Sequence, residues 1–125
     1  MPEQPHILLI EDDPNLGMLL EHMLSKHYQV TILTDGFAAL SWLAAGHMPH
    51  MIMADVDMPG LGSAQLLENI KVSGFYRHLP VVVLSGKSDT DKAEGLLKQG
   101  ADAVLQKPFS REDLFELLQR LLRFS

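Results

Sequence analysis

His6-Ile7-Leu8-Leu9-Ile10-Glu11-Asp12-Asp13-Pro14 is the stretch on which the reading of the fold turns. A short apolar run, cut off by acids and a turn residue, reads as a strand buried on both faces. Pro14 suits the first turn of a helix, and Asp13 suits the cap before it. Leu16, Leu19, Leu20, Met23 and Leu24 then recur at helical spacing. A buried strand feeding an amphipathic helix is the opening of a β-α-β unit. Such units build a parallel sheet with helices on both faces.

The same alternation continues outward. Tyr28 to Leu33 is a second, β-branched strand, broken by Thr34-Asp35-Gly36. Phe37, Leu40 and Leu43 mark a helix that stops near Gly46. Met51 to Ala54 is the third strand, ended by Asp55, and the loop Asp57-Met58-Pro59-Gly60 leads to a helix carrying Leu66, Leu67 and Ile70 up to about Ser73. Pro80 opens Val81-Val82-Val83-Leu84, the most strand-like run of all, and Ser85-Gly86 ends it. A polar helix with Ala93, Leu96 and Leu97 stops at Gly100, a C′ glycine. Asp102 to Gln106 is a short fifth strand before Lys107-Pro108. Ser110 caps the last helix, with Asp113 at the capping-box position and a leucine stripe from Leu114 to Leu122. Five strands alternate with five helices, without linker or repeat. The predicted fold is α/β, a doubly wound five-stranded parallel sheet. Right-handed crossovers leave few topologies, of which the flavodoxin-like order 2-1-3-4-5 is favoured.

Composition narrows the function. The 125 residues suit a single domain over 1–125, with its core at about 6–123 and no room for a second folded unit. The net charge of −6 argues against binding nucleic acid or an anionic membrane through bulk charge. The absence of cysteine excludes disulfides, thiolate metal sites and a cysteine nucleophile. The N-terminus lacks a signal peptide, and no apolar run approaches the ~20 residues of a membrane span. A soluble, cytoplasmic protein is expected. The six histidines show no metal-ligand spacing, and Trp42 reads as a packing residue.

One pattern separates the chain from a generic α/β domain. Glu11 and Asp12 follow the first strand, Asp55 the third, Ser85 the fourth and Lys107 the fifth. In isolation an acid after a strand is a helix cap, and a serine or lysine there is a turn residue or a solvated charge. In a parallel sheet, however, all these strand ends share one edge, and ligands bind there where the strand order reverses. Crowded carboxylates repel, which raises the pKa of at least one, and a divalent cation relieves the repulsion. Carboxylates without histidine or cysteine partners suggest a hard cation, most simply Mg²⁺, with Mn²⁺ as a substitute. Such an ion can also hold phosphate oxygens, and a lysine and a hydroxyl add further contacts to them. One aspartate would then be the nucleophile, forming an acyl phosphate. Without Glu11, Asp12, Asp55, Asp57 and Lys107, the net charge halves to −3.

In this combination the chain resembles a response-regulator receiver domain of bacterial two-component signalling, from Ile7 to about Arg123. The resemblance is carried by Ile7-Leu8-Leu9-Ile10-Glu11-Asp12-Asp13-Pro14, Thr34-Asp35-Gly36, Asp55-Val56-Asp57-Met58-Pro59-Gly60, Val81 to Ser85, Gly100-Ala101-Asp102 and Lys107-Pro108-Phe109. It implies that Asp55 accepts a phosphoryl group from a sensor histidine kinase or a phosphotransfer protein. It implies that Asp12 binds Mg²⁺ directly, Glu11 mainly through water, and Asp57 through its backbone carbonyl. Ser85 would turn toward the phosphoryl oxygens and Lys107 pair with them, with the Lys107-Pro108 bond cis. The switched surface would be the face of the fourth helix, fifth strand and fifth helix, read by a downstream effector or output domain. The resemblance thus implies a phosphoacceptor that assists its own phosphorylation and dephosphorylation, not a conventional enzyme.

Some positions depart from the family pattern. Val104 stands where an aromatic is usual, three residues before Lys107, and Gly62-Ser63 replaces the usual Asp-Gly. Asp57 is expected to reach across the mouth of the site to Lys87, an ion pair that would gate water. Two alternatives carry different expectations. Asp55-Val56-Asp57 also resembles the nucleophile motif of haloacid-dehalogenase-type phosphatases, although there the metal acids follow the lysine, whereas here they come first. A phosphorylation-independent binding module on the same fold is the other, and the intact set of Glu11, Asp12, Asp55, Ser85 and Lys107 argues against it.

Overall fold

A computed structural model describes residues 4–58 and 60–122. Pro59 and Arg123 therefore lie outside the described residues. The chain runs β1 (His6–Ile10), α1 (Pro14–Leu24), β2 (Gln29–Leu33), α2 (Gly36–Ala44), β3 (Met51–Asp55), α3 (Ser63–Val72), β4 (Val81–Ser85), α4 (Thr90–Gln99), β5 (Ala103–Gln106) and α5 (Arg111–Leu122). The five strands form one parallel sheet in the order β2-β1-β3-β4-β5.

Alternation along each strand divides the core. Leu8, Ile10, Ile52, Ala54, Val81 and Val83 face Leu43, Leu66, Leu67, Ile70 and Leu96 of α2, α3 and α4. Ile7, Leu9, Met51, Met53, Val82 and Leu84 face Leu20, Leu24, Leu114 and Leu118 of α1 and α5. Burial on both faces explains why β1, β3 and β4 read as unbroken apolar runs.

Helix ends follow their local signals. Asp13 Oδ1 accepts from Asn15 N–H at 2.9 Å, Asp35 Oδ1 from Ala38 N–H at 2.8 Å, and Ser110 Oγ from Asp113 N–H at 3.0 Å. Gly100 takes φ +118° and closes α4, as its position suggested. Some details differ from the sequence reading, and β5 starts at Ala103 rather than Asp102. Tyr28 donates to Leu24 O at 2.8 Å and so belongs to the turn after α1, not to β2. A short 3₁₀ turn, Lys87–Asp89, separates β4 from α4.

Gly36 is the tightest glycine. A Cβ there would lie 2.6 Å from Leu61 O, so α2 can start against the β3–α3 loop only without a side chain. Gly36→Ala is expected to cost about 1–3 kcal/mol of stability through that backbone collision, as read by urea unfolding. An unchanged midpoint would show that the loop gives way freely.

Candidate functional site

Parallel strands bring Glu11, Asp12, Asp55, Ser85 and Lys107 to one edge, as the sequence indicated. Register aligns Ile10 with Ala54, Asp55 with Leu84, and Ser85 with Gln106. Each polar residue thus stands at the same level of the sheet. Lys107 N–H donates to Ser85 O at 2.7 Å, and Val56 N–H to Leu84 O at 2.9 Å, which extends the ladder through the site. The Lys107–Pro108 bond is cis, as expected.

Asp55 is the centre. It is buried, and each of its carboxylate oxygens has a donor. Lys107 Nζ lies 2.7 Å from Oδ2, and Asp57 N–H lies 3.0 Å from Oδ1. One oxygen each from Glu11, Asp12 and Asp55 can be chosen so that all lie within 4.8 Å of one another. Glu11 is only 2 % exposed. Its Oε2 accepts from Asp13 N–H at 3.2 Å. Its Oε1 is buried without a hydrogen-bond partner, although Lys107 Nζ stands 3.7 Å away. Burial, then the neighbouring Asp55, pushes the Glu11 carboxyl up to about 7. Crowding of the acids led the sequence reading to expect one raised carboxyl; here burial is the larger cause and the neighbouring Asp55 adds to it. Burial works against the Lys107 ammonium, but the Asp55 and Glu11 carboxylates outweigh it and hold its pKa above the usual lysine value.

An orphaned buried oxygen beside two further carboxylates is what a hard divalent cation would satisfy, so the donor set fits Mg²⁺. Asp12 is exposed and leaves the cluster open to solvent. Ser85 is buried, with Oγ donating to Gly86 O at 3.1 Å.

The expected Asp57–Lys87 pair does not form. Asp57 Oδ1 instead accepts from Lys92 Nζ at 2.7 Å. The 3₁₀ turn takes Lys87 to an exposed position, and the first turn of α4 brings Lys92 over Asp57. Lys92 holds the Asp57 carboxyl below the usual carboxylate range. Ser63, marked in the sequence only as a departure from the family pattern, has a role there that the sequence did not assign. It is buried, and its Oγ donates to Asp55 O at 2.5 Å and lies 3.2 Å from Val56 O. The Gly62-Ser63 departure thus braces the backbone that carries Asp55.

Away from this edge, Trp42 stacks on His47 with ring centroids 4.5 Å apart and meets His6 edge-on at 5.5 Å. His6 N–H donates to His50 Nδ1 at 2.9 Å. The tryptophan packs, as read, but among imidazoles.

The chain matches the response regulator receiver domain family over residues 7–119. It is 30 % identical over 120 residues to the sensor histidine kinase TmoS of Ectopseudomonas mendocina, covering 96 % of this chain but only 12 % of that protein. It is 31 % identical over 124 residues to the two-component response regulator ORR3 of Oryza sativa subsp. indica, covering 98 % of this chain and 95 % of the relative. Among solved structures, it resembles the receiver domain of sensor histidine kinase PA1611 from Pseudomonas aeruginosa. The TM-score is 0.86 at 29 % identity, covering 96 % of this chain and 98 % of the other. In that protein a magnesium ion is coordinated in the active site cleft. The five-stranded order and the acid cluster at the switch point agree with these matches: this chain belongs to the response regulator receiver domain family.

Proposed function

We propose that Asp55 is the phosphoacceptor, receiving a phosphoryl group from a sensor histidine kinase or a phosphotransfer protein. The observation that carries this reading is the Lys107–Asp55 contact at 2.7 Å beside the orphaned Glu11 Oε1. Lys107 fixes one carboxylate oxygen and the Asp57 amide the other, so the nucleophile is oriented before a donor arrives. An Asp55 oxygen forms the new bond to phosphorus, and the donor nitrogen leaves with the electron pair of the bond it held. The Lys107 ammonium is placed to follow the charge onto the phosphoryl oxygens, and the Ser85 hydroxyl can rotate from Gly86 O toward them. Glu11, Asp12, Asp55 and the Asp57 carbonyl are the groups that would hold Mg²⁺, with Mn²⁺ able to replace it. The ion would supply positive charge against the phosphoryl oxygens.

The output follows as a population shift read by a partner on the face of α4, β5 and α5. Val104 is half-buried there, beside a cavity of about 130 Å³ between α4 and β5 that also touches Ser85. No aromatic swings at this position, so the displacement of α4 itself carries the signal in this reading. Relatives that are kinases and regulators support a kinase upstream and an effector or output domain downstream. No helix among the described residues is long and apolar enough to cross a membrane. We place the domain in the cytoplasm, where phosphohistidine donors are made from ATP.

Incubation with acetyl phosphate and Mg²⁺ tests the assignment. Intact mass should show one phosphoryl group per chain, with labelling that stops at that stoichiometry. Continuous turnover of a chromogenic phosphate ester would instead identify a phosphatase, and an unlabelled chain would identify a binding module.

A further inference from the structure

Four of the six histidines gather at the sheet edge opposite the acid cluster. His6 opens β1, His47 and His50 lie before β3, and His78 lies before β4. His6 and His50 are joined twice. His50 N–H donates to His6 O at 2.7 Å, and His6 N–H donates to His50 Nδ1 at 2.9 Å. The paired register of β1 and β3 starts only at Ile7 and Met51, so the imidazole adds a rung before the ladder. A backbone N–H can only donate. Nδ1 of His50 therefore carries a lone pair, and the ring is neutral in this arrangement. An imidazolium bears a hydrogen on both nitrogens and cannot accept, so protonation would set two N–H groups against each other. The surroundings do not compensate a positive charge. On one side, His6 Nε2 lies 2.7 Å from Thr31 Oγ1 of β2, and Trp42 of α2 meets His6 edge-on while it stacks on His47. On the other, His50 lines a cavity of about 370 Å³ with His78, Leu79, Pro80 and Leu121 of α5. The titratable groups that face the pair are thus His47 and His78, with no carboxylate among the described residues there. Burial and the nearby imidazoles hold the His6 pKa below the usual histidine value. What a histidine held neutral contributes is present at high pH and is lost as pH falls from 6.5 toward its lowered value.

We propose that His50 is an acid-sensitive latch on the start of β1, closed while its imidazole is neutral and open once it is protonated. The bond lies at the surface, so water takes over the freed His6 N–H and opening stays local. The ladders from Ile7 to Ile10 on both sides hold the rest of the strand. The proton thus acts at the end of the sheet remote from Asp55, and the inference does not depend on the phosphoacceptor reading.

Amide hydrogen exchange on the whole chain, followed by NMR at about pH 7.5 and about pH 5, brackets the range in which imidazoles titrate and tests the latch. Rates are corrected for the pH dependence of exchange in a free peptide. Protection of the His6 N–H should fall about tenfold at the lower pH, the measure of one hydrogen bond. His50→Asn puts a carbonyl oxygen where Nδ1 stands, an acceptor that does not titrate in this range, so the amide should stay protected at both pH values. His50→Phe keeps a ring without an acceptor and should leave the amide unprotected at both. His47→Gln should retain the pH response, which separates the latch from the stack on Trp42. Equal protection of the wild type at the two pH values overturns the inference. So does a loss on acidification that persists in His50→Asn, protection that survives in His50→Phe, or a response that His47→Gln abolishes.

Discussion

Asp55→Ala should abolish phosphoryl labelling, with a loss of at least about 10³-fold in rate, because the variant lacks the attacking oxygen. The geometry singles out this carboxylate among the acids of the edge. It has a lysine on one oxygen and a backbone amide on the other. Glu11 in the same cluster is buried with a carboxyl pushed up to about 7, a poor nucleophile while protonated. Asp57 points its carboxylate to Lys92. The loss should not reflect unfolding. Removing Asp55 takes one charge out of a repelling cluster, and Asp55→Asn, which keeps the shape of the side chain, should lose labelling equally. Intact mass and peptide mapping after acetyl phosphate treatment decide the matter. Label retained in both variants, on Asp12 or Asp57, would move the acceptor elsewhere.

The parts of this site that were legible in the sequence are the parts fixed by backbone topology. Strand exits in a parallel sheet share one edge whatever the side chains do, so Glu11, Asp12, Asp55, Ser85 and Lys107 could be assembled from strand assignments alone. The caps at Asp13, Asp35 and Gly100 were legible because they depend on a few consecutive residues. Lys92 was not, because its arrival over Asp57 depends on the phase of α4. That phase is set by the 3₁₀ turn at Lys87–Asp89, which no local pattern announced. The role of Ser63 was not legible for a related reason. Its bond to Asp55 O spans eight residues and exists only once Gly62 has started α3 beneath β3. The orphaned Glu11 Oε1 required both neighbouring strands in place. Crowding of the acids foretold a raised carboxyl, but not which one.

Glu11→Gln should make the metal-free protein more stable at pH 8, by up to about 3 kcal/mol, since a pKa unit corresponds to about 1.4 kcal/mol. The folded chain keeps the Glu11 proton up to about pH 7, whereas a free glutamate loses it near 4.5. Between those values the folded state binds more protons than the unfolded state, so this group makes stability fall as pH rises through the window. Above pH 7 the cost of a buried carboxylate with an unpartnered oxygen is complete; below 4.5 it is absent. Glutamine keeps the acceptor for Asp13 N–H and removes the titration. The stability gap between variant and wild type should therefore be near zero at pH 4.5, open between pH 5 and 7, and level off by pH 8. Urea unfolding in EDTA across that range measures it. Millimolar Mg²⁺ should narrow the gap at pH 8, because a cation bound by the native carboxylates stabilises the wild type and finds one ligand fewer in the variant. A gap that is the same at pH 5 and pH 8 would mean that the substitution acts through packing. Equal stability at pH 8 would mean that the Lys107 ammonium at 3.7 Å already satisfies Glu11, and the site would then have no unmet charge for a cation to relieve.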